Sequence, residues 1–593
     1  MDHSFSPYHE QHHKKPRIRL PKINIPKGVK KWVAIILGIF VAIFFIFYLL
    51  LGQLRFFVNH YFGFGFFSKH YLVLLQNNYE LRPGGGFITG YGNLDFFMGI
   101  PGKISFKNSY DIDTASYVVP PYPQEDMLKN EWYQGYTFRD ANWNPDSRMS
   151  ADELVKFYTQ KYPDKDVDGI FVVNFSLIED LIDRLGGIEV NGKKLTKDNL
   201  FSELEFEVNN VDRHNVDALS GRKNILGDIA AQMIGKAKRH PFTTRDVLVN
   251  GLNDKDFYVW MKNNSLENKL ISKGWANVLA PADKSDFLAV NLANLGSKKA
   301  DRYIKPEINY YANIAKEVPE ITTEVTIRYP GFTNSYSDNY KGYLRIYIPK
   351  NADVISAPVD SDTKTDGEFK AIGAKIILPA GSKTTLVYTY TLPRSTFAAD
   401  EYKLRLLKQS GSDALYNLTV EAADGKTLKG DDFQARENRA MFEGTLTHDL
   451  DLSLKILPDT LPPYAIEQEF TDLTHIQIIW NEPMDSTSAM DANNYTISDL
   501  NKANPTTDVV NIKSIKLTQP NVIEFELEGV TKQDLEFYRV DFKGIKDMTG
   551  NFITPNPKSI TAVQRFKANN ETFNIKLGEI PVAPAENSIK LGQ

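Results

Sequence analysis

The stretch Val167–Val190, VDGIFVVNFSLIEDLIDRLGGIEV, predicts a strand, a helix and a second strand in immediate succession. Its beginning, Asp168–Phe175, is a nearly unbroken apolar run, which is typical of a buried strand. The capping box that opens at Ser176 predicts the start of the helix, and Gly186-Gly187 predicts its end. Strands that alternate with helices favour an α/β (α+β) domain in which the helices pack on a mixed sheet.

The same alternation extends over residues 70–300, which we predict to be this α/β domain. Tyr71–Gln76 predicts a strand before a glycine-rich bend, and a capping box at Ser150 predicts a helix further along. Three later elements are also predicted: helices at Ile225–Ala237 and Ser265–Lys273, and a late strand at Phe287–Leu292.

The rest of the chain has the pattern of β-rich units. Segments such as Glu324–Tyr329 and Tyr343–Ile348 alternate apolar and polar residues, with Gly, Pro, Asn and Asp between them. This pattern predicts all-β sandwiches. The predicted divisions are a linker at 301–320, a β-sandwich at 321–458, an Ig-like β-sandwich at 459–567 and a flexible tail at 568–593.

Residues 32–52, WVAIILGIFVAIFFIFYLLLG, form an uncharged apolar stretch long enough to cross a bilayer as one helix. Residues 1–31 carry eight Lys and Arg against two acidic residues, so this tail is expected in the cytoplasm and the C-terminal bulk outside. A cleaved signal peptide is the alternative, but it would have a shorter apolar region and a small-residue cleavage site. We predict a single-pass cell-membrane protein whose signal anchor contacts the lipid bilayer through 32–52, followed by a juxtamembrane linker at 53–69.

The composition excludes several classes of chemistry. The chain has 593 residues and no cysteine, which excludes disulfides, thiolate catalysis and zinc–thiolate sites. Its net charge is −5, and the basic tail contributes +6, which leaves −11 for the remainder. Because an acidic surface repels phosphate backbones, no nucleic acid is expected as a partner.

Four blocks of the first predicted domain resemble a bacterial envelope family known as domain of unknown function 4012. The blocks are YLVLLQNNYELRPGGGFITGYG (Tyr71–Gly92), RDANWNPD (Arg139–Asp146), VDGIFVVNFSLIEDLIDRLGGIEV (Val167–Val190) and NLANLGSKKADRYIKPEINY (Asn291–Tyr310). The resemblance implies a single-pass bacterial surface protein and supplies no established activity.

The same region is distantly similar to the LytR–CpsA–Psr family, whose members transfer polymers from polyprenyl-pyrophosphate carriers to the cell wall. Arg82, the pair Arg139-Asp140 and Leu185–Val190 occupy the matching places. This similarity implies a phosphotransferase in which Arg82 and Arg139 clamp a pyrophosphate. Asp140 would then help to hold Mg²⁺, a cofactor that only this hypothesis requires.

The chain departs from the transferase family directly after Arg82. That family has an acidic residue near the metal and pyrophosphate, whereas Pro83–Phe87 contains no carboxylate. A later Arg-rich motif is only approximated by Arg239 and Arg245. Because transfer chemistry of this kind needs Mg²⁺ held by carboxylate and phosphate oxygens, the departure favours a binding function over a catalytic one.

The third unit resembles the Ig-like domains of S-layer and other bacterial surface proteins. The residues that carry this resemblance are IIWNEPMDSTSAMDANNYTI (Ile478–Ile497) and VDFKGIKDMTGNFI (Val540–Ile553). The resemblance implies a spacer or a partner-binding module. Asp485, Asp491 and Asp547 within these motifs are interpreted as turn residues.

Arg82, Gly84 and Gly85 form the first candidate ligand site. Backbone N–H groups of a glycine nest and a guanidinium group both bind anions. The alternative is a tight turn that requires a positive φ, with Arg82 paired to a neighbouring carboxylate.

The loop before the Ser150 helix is the second candidate, and it offers Arg139, Asp140, Trp143 and Arg148. It could bind a phosphate or stack a sugar on Trp143. The alternative is that Arg139 and Asp140 only hold the loop in place. Convergence of Arg82, Arg139 and Arg245 at a cavity would favour the transferase hypothesis.

No metal site and no catalytic residue is assigned. Asp164–Gly169 mimics the start of a calcium loop, but Phe175 stands where the closing Glu is required. The leading hypothesis is a membrane-anchored surface protein that recognises cell-envelope polymer or another surface protein. The alternative hypothesis is the LytR–CpsA–Psr-like phosphotransferase.

Overall fold

The computed structural model describes residues 51–60, 68–97, 100–102, 104–113, 136–209, 216–296, 299–331, 339–502, 509–530 and 535–565. In this described part, no helix combines the length and the apolar character needed to cross a membrane. The predicted span at 32–52 lies outside the described residues except for Leu51 and Gly52. The predicted tails at 1–31 and 568–593 also lie outside them.

The first unit contains strands and helices that alternate along the chain. They are α1 (Arg55–His60), β1 (Ser68–Arg82), β2 (Gly85–Phe97), β3 (Ile100–Pro101), β4 (Ser105–Asn108), α2 (Ser147–Lys161), β5 (Gly169–Asn174), α3 (Phe175–Arg184), β6 (Ile188–Val190), β7 (Lys193–Leu195), α4 (Lys197–Asn209), α5 (Val216–Arg239), α6 (Pro241–Asn253), β8 (Phe257–Met261) and α7 (Asn264–Ser272). The sheet has the order β3-β2-β1-β5-β8, with β4 also paired to β2. Since β1 pairs antiparallel with β2 and parallel with β5, the predicted mixed sheet is confirmed.

The strand–helix–strand prediction holds, but both predicted capping boxes are wrong. Helix α2 begins after Asp146, whose carboxylate accepts the backbone N–H of Arg148 at 2.9 Å, so Ser150 lies inside the helix. Helix α3 begins after Asn174, and Glu179 bonds to the Tyr79 hydroxyl instead of returning to the helix start. The predicted end of α3 is confirmed, because Gly186 and Gly187 both have a positive φ.

The second unit is a pair of seven-stranded sheets. Its strands are β9 (Asp286–Asn294), β10 (Glu307–Asn313), β11 (Glu320–Tyr329), β12 (Tyr340–Pro349), β13 (Asp353–Ser356), β14 (Asp362–Asp366), β15 (Phe369–Leu378), β16 (Ser382–Thr391), β17 (Glu401–Leu407), β18 (Ala414–Glu421), β19 (Lys426–Lys429), β20 (Gln434–Arg436), β21 (Arg439–Leu446) and β22 (Leu450–Pro458). One sheet has the order β13-β16-β11-β10-β18-β21-β20, and the other has the order β14-β15-β12-β9-β17-β22-β19.

Two sequence predictions about this region are corrected. Phe287–Leu292, predicted as a late strand of the α/β domain, belongs to β9 and pairs with β12 and β17 of the second unit. All nine residues of β9 are buried, as expected for a central strand that is covered on both faces. The predicted linker 301–320 contains β10, which pairs with β11 and β18 and is therefore part of the sandwich.

The cores of the first two units are joined through β9. Leu288 and Leu292 lie in the large core of the sandwich, whereas Ala293 packs in the core of the α/β unit. Leu81, near the end of β1 in the α/β unit, packs in the core of the sandwich. The two units therefore share buried surface and do not pack as separate domains.

In its described residues, the third unit has seven antiparallel strands and one short α-helix. Its elements are β23 (Ala465–Phe470), β24 (His475–Trp480), α8 (Ser486–Ala489), β25 (Tyr495–Asp499), β26 (Val509–Gln519), β27 (Val522–Glu528), β28 (Leu535–Phe542) and β29 (Lys558–Arg565). The strand order is β23-β24-β27-β26-β25-β28-β29. Its core surrounds the fully buried side chain of Trp480. The β-sandwich character is confirmed, and the Ig-like assignment stays a prediction.

Candidate functional site

The glycine run after Arg82 forms a tight connection between β1 and β2. Arg82 pairs with Gly85, and Leu81 pairs with Gly86. A methyl group on Gly86 would lie 2.2 Å from the backbone carbon of Asn77, and Gly85 has a φ of 130°. These glycines are required because β1 passes against its own turn, and Gly84 and Gly85 are both buried.

Arg82 lies at the centre of a buried polar network. Its Nε donates to Asp140 Oδ1 at 2.9 Å, and its Nη2 donates to Glu80 Oε1 at 3.2 Å. Its Nη1 donates to the backbone oxygens of Leu81 and Asn294, at 3.1 and 2.9 Å. The side chain has no exposed surface, so its charge is neutralised inside the protein.

Burial also changes the acidity of the carboxyl groups around this network. Burial raises the pKa of Glu80, and the charge of Arg82 opposes that rise. Asp301 accepts the backbone N–H of Leu81 at 2.9 Å and the Asn294 amide at 2.6 Å. Burial raises the pKa of Asp301 to about 6.

Arg139 lies next to the Arg82 network but belongs to a separate ion pair. It pairs with Asp113, and its guanidinium lies 4.0 Å from the centre of the Tyr110 ring. Arg82 and Arg139 both lie against Phe87, at 5.2 and 5.8 Å from its ring centre. About a quarter of the Arg139 side chain is exposed (23%), so it is the partly accessible member of this pair of cations.

Trp143 and Arg148 differ in exposure: Trp143 lies in the loop before α2, and Arg148 lies in the first turn of α2. Trp143 is buried at 3% exposure, and its backbone oxygen accepts from Arg345 at 3.3 Å. Arg148 forms a two-point ion pair with Asp146, at 2.9 and 2.6 Å, and half of its side chain is exposed. Trp143 is therefore a core residue of the loop before α2, and Arg148 is an accessible cation at the start of α2.

Arg245 lies on another element, helix α6. It pairs with Asp246 at 2.6 Å and lies 5.6 Å from the centre of the Phe242 ring. A methyl group on Gly52 would lie 3.6 Å from its Cδ. The structure thus brings Arg82, Asp140 and Trp143 close to one another, and Arg139 lies beside them. Arg245 lies elsewhere, beside Gly52 at the start of the described chain.

The second unit also reaches into this network, and no sequence pattern indicates this contact. Gln409 accepts the backbone N–H of Leu292 at 2.8 Å and donates to the Leu292 oxygen at 2.7 Å and to the Arg82 oxygen at 3.2 Å. Ser410 donates to the Lys255 oxygen at 2.7 Å and accepts from Asn174 at 3.0 Å. A signal for part of this network was present in the family block at Asn291–Tyr310, where Asn294 follows the apolar residues of β9.

Two almost completely buried lysines complete the junction. Lys255, at 1% exposure, pairs with Asp449 at 2.7 Å. Lys408, at 4% exposure, donates to the Asp254 oxygen at 2.8 Å and lies 3.2 Å from Asp413. Buried charges of this kind persist only when they are paired, so both lysines fix the sandwich to the α/β unit.

Three buried carboxylates meet where the third unit joins the second. Asp459, Glu482 and Asp547 have ligand oxygens within 4.8 Å of one another, and their exposures are 7%, 9% and 1%. Oxygens in this arrangement could hold a hard cation. Burial and the neighbouring Asp459 raise the pKa of Glu482 to about 8. Glu482 can therefore stay protonated at neutral pH, which lowers the negative charge of the cluster.

The predicted turn roles of the aspartates in the third unit are confirmed. Asp485 accepts the backbone N–H of Ser488 at 2.9 Å, and Asp491 accepts that of Asn493 at 3.0 Å. Asp547 accepts the N–H of Thr549 at 2.7 Å, and it is also a member of the carboxylate cluster.

Comparison with known families supports the first resemblance. The model of a family described as "Protein of unknown function (DUF4012)" matches residues 68–208. No curated protein matches the chain. The matched range contains β1, β2 and the strand–helix–strand segment, together with Arg82, Arg139, Trp143 and Arg148.

Similar solved structures come from several bacterial proteins. The N-terminal part of the bacterial S-layer protein SbsC is 19% identical over 18% of this chain and 24% of that chain, with a TM-score of 0.16. The Lin1025 protein of Listeria innocua is 14% identical over 36% and 80%, with a TM-score of 0.20. The transcriptional regulator yvhJ of Bacillus subtilis is 12% identical over 35% and 76%, with a TM-score of 0.18.

These TM-scores are too low to support conclusions about fold or activity. The chain spans about a quarter or less of the S-layer protein structures that it matches. The similarity to the LytR–CpsA–Psr family stays a prediction.

Proposed function

We propose that this chain is a bacterial cell-envelope protein, anchored by residues 32–52, that displays its α/β unit outside the membrane on two β-rich units. Its role would be to recognise cell-envelope polymer or another surface protein. The predicted anchor and the basic tail support an exported protein of this kind. The match of residues 68–208 to a family of unknown function is compatible with it.

The observation that carries the choice of binding over transfer chemistry is the complete burial of Arg82 between Glu80 and Asp140. A transferase would need this guanidinium on a pyrophosphate and Asp140 on Mg²⁺. In the structure the two groups bind each other, and opening the site would leave both charges unpaired in the interior.

Two partly exposed cations, Arg139 before α2 and Arg148 in its first turn, are better suited to recognition. Arg148 is half exposed and held by Asp146, and Arg139 is partly exposed beside Tyr110. Guanidinium groups that are fixed in this way can bind phosphate or carboxylate groups of a polymer at little cost in conformational entropy.

Exposure on the cell surface can be tested with Met548→Cys in the full chain, because the natural sequence has no cysteine. Met548 lies in the third unit with 63% of its surface exposed. We expect a membrane-impermeant maleimide to label this variant on intact cells. Labelling that occurs only after lysis would refute the proposed location.

Polymer recognition can be tested with purified wall glycopolymer and the full chain in detergent. We expect Arg148→Ala to weaken binding severalfold. The matched control is Arg439→Ala, which removes another exposed arginine from an ion pair with Glu421, in the second unit. Equal binding by the wild type and both variants would exclude the start of α2 as the polymer site.

A further inference from the structure

The start of the described chain is fixed on the α/β unit. Phe57 stacks on Trp275 with ring centres 5.7 Å apart, and Phe56 meets the same ring edge-on at 5.7 Å. Lys273 lies 5.2 Å from the centre of the Phe56 ring. Gly52, the last residue of the predicted membrane span, lies against Arg245 of α6. The position of α6 is therefore tied to the place where the predicted span ends.

The corner between α5 and α6 lies along the chain next to this contact. We call it the cationic corner and define it by Ile234, Lys238, Arg239, Phe242 and Arg245. Ile234 and Phe242 are 42% and 49% exposed, and Lys238 and Arg239 are exposed as well. Residues 234–245 contain four Lys and Arg and no acidic residue, and Asp246 directly after them pairs with Arg245.

The cationic corner contrasts with the part of the chain after the basic tail, which carries −11 in total with the corner included. Basic residues in the last turn of a helix stabilise its dipole, and this explains part of the charge at the end of α5. Lys236 is used in this local way, since it donates to the Leu185 oxygen at 3.2 Å. Helix stabilisation does not explain why two large apolar side chains are exposed among the cations.

We propose that the cationic corner rests on the outer surface of the bilayer. Lys238 and Arg239 would lie at the level of the phosphates of anionic phospholipids, and Ile234 and Phe242 would enter the interface. Cations together with apolar residues on one helical surface are the pattern that binds such membranes. The inference rests on the anchor of the proposed function, because the anchor brings α6 to the lipid.

The depth of the cationic corner can be measured on the full chain in vesicles that contain phosphatidylglycerol. The chain has no cysteine, so Phe242→Cys, Met548→Cys and Phe45→Cys each carry one fluorophore. Lipids that are spin-labelled near the headgroup should quench the label at position 242 and leave the label at 548 unchanged. Lipids labelled deep in the acyl chain should quench the label at position 45, inside the predicted span.

The role of charge is tested by adding Lys238→Glu and Arg239→Glu to Phe242→Cys. The double variant loses two cations that are attracted to the anionic surface. The population in which the corner contacts the membrane, relative to the population in which it does not, should fall on the order of thirtyfold or more. Most of the quenching should therefore disappear. The matched control is Lys375→Glu with Lys383→Glu, a pair of exposed lysines on β15 and β16, which should keep the quenching unchanged.

The outcomes separate this inference from the function on which it rests. Quenching at position 45 without quenching at 242 overturns the inference and leaves the anchor intact. No quenching at position 45 overturns the anchor, and the inference with it. Equal quenching at 242 in neutral phosphatidylcholine vesicles overturns the role of the anionic headgroup. Binding of wall glycopolymer that is lost in the double variant, with position 242 unquenched, would assign the corner to polymer instead.

Discussion

Arg82 and Asp140 form an ion pair at 2.9 Å in which neither side chain is more than 2% exposed. Arg82 is the last residue of β1, Asp140 lies in the segment before α2, and the backbone oxygen of Asn294 in β9 also accepts from Arg82. The pair therefore holds the turn after β1, the loop before α2 and the end of β9 in one position.

Replacing Arg82 by Met should strongly destabilise the protein. The change leaves Glu80 and Asp140 buried without their cation, and breaking a buried pair in this way costs about 3–5 kcal/mol. The free energy of unfolding from a denaturant titration measures the effect.

The control for this prediction is Arg148→Met, which removes a half-exposed ion pair with Asp146. Exposed pairs contribute about 1 kcal/mol or less. Similar losses in the two variants would contradict the structural role of Arg82.

Gln409→Ala should loosen the junction between the first two units. The change leaves the N–H and the oxygen of Leu292 without the bonds that Gln409 supplies. Two buried unsatisfied backbone groups cost about 2–4 kcal/mol. Hydrogen exchange at the Leu292 amide should become faster by the corresponding factor.

Gln434→Ala is the comparison for this change, because Gln434 is an exposed residue at the edge of the same unit. It should alter stability by about 0.5 kcal/mol or less. An unchanged exchange rate of the Leu292 amide in Gln409→Ala would show that the Gln409 side chain does not protect the Leu292 backbone.

The stability of the third unit should depend on pH through Glu482. Burial raises the pKa of Glu482 to about 8 in the folded state, so folding favours the protonated form. The resulting stabilisation is complete below the ordinary pKa of a glutamate and is lost as the pH rises through about 8. The melting temperature of the wild type should therefore fall between pH 7 and 9.

Glu482→Gln keeps the shape of the protonated side chain and should abolish this fall. Glu526→Gln, on the exposed face of β27 in the same unit, should leave the fall in place. Parallel pH profiles for the wild type and Glu482→Gln would rule out Glu482 as the titrating group.

Gly86→Ala should destabilise the protein, because its new methyl group would lie 2.2 Å from the backbone of Asn77. We expect a loss of about 2–3 kcal/mol in the free energy of unfolding. Gly235→Ala in helix α5 meets nothing within 4 Å and should be neutral or stabilising by up to about 1 kcal/mol. Tolerance of alanine at position 86 would argue against the close turn.

The sequence predicted the local elements better than their partners. The run DGIFVVNF and the glycines after it indicate a strand and a helix end correctly, because burial and positive φ leave local signals. The run FLAVNLAN in β9 has the same apolar character, but a strand buried on both faces carries no information about which sheet it joins.

The candidate site was harder to predict for the same reason. An arginine followed by a glycine run, as at Arg82–Gly86, is a pattern that favours an anion site. Its charge is neutralised by Asp140, which lies 58 residues away along the chain, and by the β9 backbone. Likewise, Asp547 has a visible turn pattern, but its proximity to Asp459 and Glu482 depends on how two units meet.

The central place of β9 in the second unit limits how this gene can be divided. A recombinant fragment that ends at residue 300 would contain β9 without its partner strands β12 and β17. The complementary fragment would lack the central strand of that sheet. Unpaired strand edges of this kind promote aggregation. Truncations for biochemical work should therefore keep β1 to β22 together in one fragment.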